Sequence, residues 1–456
     1  MQSPASVLQA PRLNRNAGAM TDQTAARPFG FWMATALVVG SMIGSGIFVL
    51  PAQLAPFGAS GAAAWLIAVA GALVLGGVLT RLAAAFPDAS GVVAISGSVL
   101  GPLAGVLLGW SYWVGVWATN AIIAITAVNY LGTFLPALTA TPLAGALSAT
   151  GLLWLLTLNN LGGARAAGRF QLVTTVLKLL PLLAVVLILA GLAAQGGAQF
   201  RAHPHAPFAI GQVAPALALV FFALIGFETA SVAAERVRDP ARNVGRATMT
   251  GLVVTSLFYL LICTGVIYAM PQATIAASPA PVALFVETFW GRTAGLTVAA
   301  FAVIAAVGSL NGWVLMQGEL PLGMARAGLL PRWFARVSRR DVPVRALLVS
   351  SVLASILILS NATRGGAGLL DFMLRLTAAA TLWIFLGGCI AALVAGIGRL
   401  LATIGLAFTL WTLWGAGWDA IAWGLALMLT ALPLYWLRPR GDPVAAAPAD
   451  PLTSPS

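Results

Sequence analysis

The chain has 456 residues, of which 60% are hydrophobic and only 8% are charged, and its mean hydropathy is +0.95. A soluble domain carries about 25% charged residues, so this composition excludes a soluble globular protein, a disordered protein and a soluble nucleic-acid binder. The formal net charge of +12 does not indicate nucleic acid, because the arginines lie between apolar runs, where membrane topology accounts for them.

Twelve apolar runs follow one another along the chain, and about 20 apolar residues suffice for a transmembrane helix. We number these runs segments 1 to 12. They lie at 31–55, 62–85, 102–132, 142–160, 171–195, 209–233, 248–269, 295–325, 345–361, 372–395, 400–416 and 419–437. The pattern predicts an all-α integral membrane protein with about twelve transmembrane helices.

Both ends of the chain are polar and predict cytoplasmic tails, at 1–28 and 438–456. The first tail is not a signal peptide, because no short apolar core with a cleavage site follows its basic residues; Met20 is an alternative start to Met1. Cytoplasmic termini leave most arginines on the inside, as the positive-inside rule requires. The outside loops then hold only Arg201, Arg292 and Arg364.

Segment 1 is interrupted in its middle by Gly44, Ser45 and Gly46. Glycine weakens a helix and lets a ligand approach the backbone, and unwound backbone at membrane depth must line a cavity. The alternative interpretation is a small-residue face for helix packing.

Segment 6 is interrupted in the same way at Gly226, two residues before Glu228. Segments 1 and 6 each open a group of five helices, and interrupted helices at matching positions indicate an inverted-repeat transporter. Half-helix N-termini suit a carboxylate and opposed carbonyls suit an ammonium group. Such a site fits an amino-acid zwitterion.

The sequences GSMIGSGIFVLPAQLA, FFALIGFETASVAAERVRDPARNVGRA and GSLNGWVLMQGELPLGMARAGLLPRWFARV resemble those of bacterial amino-acid/polyamine antiporters and permeases of the amino acid–polyamine–organocation superfamily. The resemblance covers residues 30–437. It implies a first inverted repeat at 29–200, a second at 201–397 and two extra helices at 398–437. It also implies an amino-acid transporter of the bacterial inner membrane that works by alternating access, with segments 1 and 6 unwound.

The resemblance further implies a substrate site built from backbone at the two breaks and from side chains of other segments. The backbone positions are Ile43, Gly44, Ser45, Gly46, Phe222, Ala223 and Ile225, where Ser45 and Gly46 match the carboxylate site and the carbonyls match the ammonium site. The side-chain positions are Asn120, Trp313 and Thr377, and the gating positions are Tyr112, Phe222 and Trp313. Each residue could instead be plain packing, and Trp313 could belong to an aromatic belt.

Phe222 departs from the pattern of the arginine exchangers, which the chain otherwise resembles, because they carry tryptophan there. Phenylalanine is a weaker cation–π partner, and acids inside the apolar runs are few, Glu228 and Glu319 among them. A neutral or modest-sized amino acid is therefore at least as good an expectation as a cationic amino acid or polyamine, which remains the alternative.

Lys178, in segment 5, is the only lysine of a chain whose other basic residues are arginines. A cation inside the bilayer costs about 2.5–3.5 kcal/mol, and lysine, unlike arginine, readily loses its charge on burial. The resemblance implies that Lys178 occupies the place of a coupling sodium ion and ties segment 1 to segment 5. Transport should then be independent of sodium and be proton-coupled or exchanging. Snorkelling to the interface is the alternative.

Glu228 is the second candidate for coupling, either as a carrier of protons or as a hydrogen-bond acceptor for unwound amides. The sequence contains no catalytic constellation, no metal-ligand spacing and no cofactor motif, because Cys263, Cys389, His203 and His205 form no such pattern. An enzyme is not expected. A channel or membrane receptor is the remote alternative, and the sequence leaves a homodimer open.

Overall fold

The computed structural model describes residues 30–86, 91–162, 177–229, 237–340, 342–363 and 367–438. Over these residues the chain is helical, without a β-strand. The predicted tails, the alternative start at Met20, the beginning of segment 5 and the end of segment 6 lie outside the described residues.

Nine of the predicted segments each correspond to one described helix. Segments 2, 3, 4, 5, 7, 8, 9, 10 and 11 are Gly58–Ala85, Pro102–Leu131, Pro142–Leu161, Leu179–Ala194, Pro240–Ala269, Arg292–Arg326, Val344–Thr363, Ala367–Val394 and Arg399–Gly415. Seven helices of the described chain are long and apolar enough to cross a membrane, and shorter apolar helices accompany them. An all-helical membrane protein is therefore confirmed.

The remaining three segments are broken. Segment 1 consists of Phe31–Met42 and Gly46–Leu54, and segment 12 of Trp418–Leu429 and Leu432–Trp436. Segment 6 is helical over Ile210–Leu224 and then turns. The breaks of segments 1 and 6 fall at the glycines that predicted them.

The structure adds short helices that the apolar runs did not predict, because they are too short to form a span of their own. These are Gly91–Leu100, Gln272–Ala276 and Pro281–Trp290, together with 3₁₀ turns at Ala55–Phe57, Pro136–Thr139 and Ala198–Arg201. Segment 7 also begins at Pro240 rather than at 248. Proline is favoured in the first turn of a helix, where it lacks only an amide that would be unpaired anyway.

Segment 3 lies at the centre of the helix bundle, and every residue from Gly109 to Val128 is buried. Segments 8 and 10 pack along it. The packing of the described helices distinguishes two sets. Segments 1, 2, 6 and 7 pack together, and segments 3, 4, 8 and 9 pack together. We call the first set the interrupted-helix group and the second set the central group.

A partly buried ion pair joins segment 10 to segments 6 and 11. Arg375 binds both carboxylate oxygens of Asp371, at 2.7 and 3.1 Å. The same guanidinium donates to the backbone oxygens of Pro215, at 3.2 Å, and Gly415, at 3.1 Å. Sequence reasoning missed Arg375, although an arginine four residues after an aspartate on a helix is a recognisable pair.

Arg375→Leu is expected to lower the thermal stability of the purified protein more than Asp371→Asn does. The leucine variant leaves an unpaired carboxylate and two carbonyls without their donor, whereas the asparagine variant keeps the guanidinium on both carbonyls. Because the ion pair is only partly buried, Arg375→Leu should lower the free energy of unfolding by about 1–3 kcal/mol, between the values for exposed and buried pairs. Melting curves in detergent test this ranking, and equal melting temperatures for Arg375→Leu and the unmodified protein would refute it.

Candidate functional site

The break in segment 1 separates two short helices. The first ends at Met42, Ile43 leaves the helical conformation with ψ of 86°, and the second begins at Gly46 with Ser45 as its N-cap residue. The first amides of a helix have no acceptor within the helix and form its positive end. The break therefore directs a positive helix end into the protein interior.

Two side chains from other segments bind the carbonyls at the end of the first helix. The Lys178 ammonium donates to the backbone oxygens of Gly40, at 2.5 Å, and Ile43, at 3.0 Å. The Tyr259 hydroxyl of segment 7 donates to the backbone oxygen of Met42 at 2.5 Å. Lys178 and Tyr259 are both fully buried. The Lys178 ammonium group therefore binds segment 1 and does not snorkel to the membrane interface.

Segment 6 leaves the helix after Leu224, where Ile225 is extended and Gly226 adopts a φ of 116°. Glycine adopts this left-handed region freely, whereas other residues are strained there. Both carboxylate oxygens of Glu228 are engaged. One accepts from the Tyr112 hydroxyl at 2.7 Å, and the other accepts from the amide of Gly226 at 3.0 Å. The carboxylate thus braces the turn and links segment 6 to segment 3.

The two breaks pack directly against each other. A Cβ added at Gly46 would lie 2.8 Å from the Cβ of Ala223, and one added at Gly226 would lie 3.0 Å from the carbonyl carbon of Ser41. Each glycine therefore lets its own break approach the backbone of the other. The first residue of the second helix of segment 1 thus lies against the last turn of the segment 6 helix.

A small cavity lies at this contact. It is lined by Ser41, Met42, Gly44, Ser45, Gly46, Thr119, Ile123, Phe222, Ala223, Ile225 and Trp313. The described part of its wall carries no ionisable side chain. Its lining combines backbone of the two breaks with the apolar rings of Phe222 and Trp313. Backbone amides and carbonyls at helix ends are groups that bind a carboxylate and an ammonium group.

Seven of the predicted substrate positions line this cavity: Gly44, Ser45, Gly46, Phe222, Ala223, Ile225 and Trp313. Three lie outside its lining. Ile43 uses its carbonyl for Lys178, Asn120 turns toward segment 8, and Thr377 is fully buried. The predicted gating residue Tyr112 lies at Glu228 rather than in the cavity wall.

A polar chain behind Trp313 fixes the wall of the cavity. The Asn120 amide donates to the side-chain oxygen of Gln317 at 2.7 Å and to the backbone oxygen of Trp313 at 3.2 Å. The Gln317 amide in turn donates to Ser351 at 2.8 Å, and Ser351 shares a hydrogen bond with Thr157 at 2.8 Å. Segments 3, 4, 8 and 9 are joined by this chain, which makes the central group a braced unit.

Sequence reasoning missed six residues of the site: Ser41, Met42, Thr119, Ile123, Tyr259 and Gln317. The spacing of Thr119 and Ile123 is that of one helix face, but this face could be recognised only once the cavity was located. Tyr259 and Gln317 carried a weak signal, since a polar group within an apolar run needs a buried partner.

Two helices broken at mid-length, with a small cavity at their contact, are the arrangement expected of a membrane transporter. Comparisons with known proteins agree. Residues 29–435 match the model of the family described as Amino acid permease, and the chain belongs to this family.

Among similar proteins are a cadaverine/lysine antiporter of Escherichia coli, 31% identical over 76% of this chain and 77% of its own length, and a putative arginine/ornithine antiporter of Bacillus subtilis, 31% identical over 78% and 81%. The putrescine transporter of Escherichia coli is 25% identical over 91% and 97%. The resemblance to amino-acid and polyamine carriers is thus confirmed. The chain is a multi-pass membrane transporter of this family and not an enzyme.

Proposed function

We propose that this chain carries a zwitterionic amino acid across the bacterial inner membrane by alternating access, without sodium, and that it is proton-coupled or an exchanger. The cavity between the two helix breaks is the observation that carries the proposal. The amides at Ser45 and Gly46 receive the carboxylate, and the carbonyls at Phe222, Ala223 and Ile225 receive the ammonium group. Trp313 and Phe222 enclose the side chain.

A twelve-span architecture with two inverted five-helix repeats accompanies this proposal, with both termini cytoplasmic. The packing of the described helices supports it. Segment 7 packs on segments 1 and 2, segment 6 packs on segment 2, and segments 3 and 4 pack on segments 8 and 9. Exchanging each segment with the one five places later leaves this pattern unchanged, as a pseudo-twofold axis requires.

Alternating access then takes the form of movement between the interrupted-helix group and the central group. Tyr112 and Glu228 form a contact between the two groups, which serves as a gate. Lys178 lies on segment 5, which contacts segments 7 and 8 and thus both groups. Loss of its proton would weaken its hold on segment 1, and Glu228 acts here as a structural acceptor.

The second candidate is a cationic amino-acid or polyamine antiporter. The names of the similar proteins, which refer to cadaverine, lysine, arginine, ornithine and putrescine, favour it. The cavity lining favours the zwitterion, since a second positive charge meets no carboxylate on the described wall.

Uptake of radiolabelled amino acids into proteoliposomes tests both candidates. Competition by unlabelled neutral, cationic and acidic amino acids and by diamines should be measured with and without a proton gradient. Inhibition by neutral amino acids in sodium-free buffer is expected. Inhibition by diamines and cationic amino acids alone would establish the second candidate instead.

Phe222→Trp is expected to raise the relative affinity for cationic competitors by roughly two- to fivefold, because indole is the better cation–π partner. Trp313→Ala should weaken every competitor, since it removes one wall of the cavity. Phe134→Trp, at an exposed position outside the cavity, is the control. An unchanged competition profile for both cavity variants would show that the substrate binds elsewhere.

A further inference from the structure

Thr119 lies in the wall of the cavity and carries a hydroxyl group that no described residue binds. The side chain lines the cavity in the centre of segment 3 and is 5% exposed. Its oxygen is buried and has no hydrogen-bond partner among the described residues. Buried polar atoms are nearly always paired, so an unpaired one needs an explanation.

Four other buried threonine hydroxyls of the described chain are unpaired, those of Thr150, Thr255, Thr264 and Thr377, but none of these residues lines the cavity. Several threonines of the bundle instead satisfy their hydroxyl groups within their own helix. Thr126, two turns further along segment 3, donates to the backbone oxygen of Ile122 at 2.8 Å. Thr157 and Thr409 bind the fourth preceding carbonyl in the same way, at 2.8 and 2.7 Å. This local bond is the usual one for threonine in a helix. Thr119 does not make it with Gly115.

The surroundings of Thr119 indicate which end of a substrate it would meet. The cavity wall combines backbone of the two breaks, at Gly46 and Ala223, with the side chains of Thr119 and Ile123 on segment 3. A zwitterion whose charged groups bind the two breaks leaves its side chain to meet segment 3. The neighbouring Asn120 carries a second buried oxygen without a partner in the described structure.

We infer that Thr119 is a specificity-determining residue, which selects a net-neutral amino acid whose short side chain carries a hydroxyl or carboxamide group. The inference rests on the proposed amino-acid transport and deepens it. A site that hydrogen-bonds a substrate hydroxyl rejects the analogue without it, because the buried group of the site is then left unpaired. Ile123 and Phe222 can supply only apolar contact to the same side chain.

L-Threonine and L-valine test this inference, because they have nearly the same shape and differ by a hydroxyl in place of a methyl group. Uptake of both radiolabelled amino acids is measured in proteoliposomes with the full-length protein. The unmodified protein should prefer L-threonine in kcat/KM by roughly three- to tenfold, the effect of one net hydrogen bond. Thr119→Val should abolish this preference, and Thr119→Ser should keep it.

Thr126→Val is the matched control, since it makes the same chemical change in the same helix, outside the cavity, and should keep the preference. The ratio of two substrates on one preparation does not depend on how much of a variant folds. An unmodified protein without the preference, or a Thr119→Val protein that retains it, overturns the inference while leaving amino-acid transport in place. Failure to transport any amino acid overturns the proposed function as well.

Discussion

Gly46→Leu is expected to abolish substrate binding, although the protein should still insert into the membrane. Even the Cβ of an alanine at this position would come within 2.8 Å of the Cβ and 3.0 Å of the Cα of Ala223. A leucine therefore either forces the two helix breaks apart or fills the cavity between them. Either result displaces the amides that face the substrate carboxylate, and binding measured with a radiolabelled substrate should fall to background.

A matched leucine substitution separates this effect from a general effect on the membrane helices. Gly151 lies in segment 4 on an exposed face, and a Cβ there meets nothing within 4 Å. Gly151→Leu should bind substrate normally, with the same elution profile in size-exclusion chromatography as Gly46→Leu. Normal transport by Gly46→Leu would place the binding site elsewhere.

Lys178→Met is expected to reduce net proton-driven transport by roughly tenfold or more. The substitution keeps most of the side-chain bulk but removes the donor to the carbonyls of Gly40 and Ile43. Each buried carbonyl that loses its donor costs about 1–3 kcal/mol, which weakens the hold of segment 5 on segment 1. Any exchange that remains should lose its pH dependence, because the titrating group is gone.

Uptake at several pH values in sodium-free choline buffer measures this effect. Lys178→Arg is the informative companion variant, since arginine keeps its charge throughout the working range. It should preserve folding better than Lys178→Met and yet show the same loss of pH dependence. Sodium-stimulated uptake by the unmodified protein would contradict the account, as would a Lys178→Met protein with an unchanged pH profile.

The two helix breaks could be predicted from the sequence because glycines interrupt segments 1 and 6 at matching positions of two groups of five helices. Gly44, Gly46 and Gly226 all lie at the breaks. Lys178 was recognisable for a related reason, since a lone lysine inside an apolar run must find a buried partner. The sequence could not tell which carbonyls would receive its ammonium group, because those belong to a segment more than a hundred residues away.

The lateral wall of the cavity was much harder to predict. Which face of segment 3 meets the cavity depends on the rotation of a helix that is buried on all sides, so hydrophobic periodicity carries no information about it. Thr119 was missed for this reason, and its neighbour Asn120 was selected instead. Short helices such as Gly91–Leu100 were missed because each is too short to form a span of its own.

The most direct test of the proposed site is a structure determined by electron cryo-microscopy with the strongest competitor from the uptake screen bound. Density for the carboxylate is expected at the amides of Ser45 and Gly46, density for the ammonium group at the carbonyls of Phe222, Ala223 and Ile225, and the side chain against Thr119 and Trp313. Ligand density elsewhere, with this cavity empty, would contradict the account.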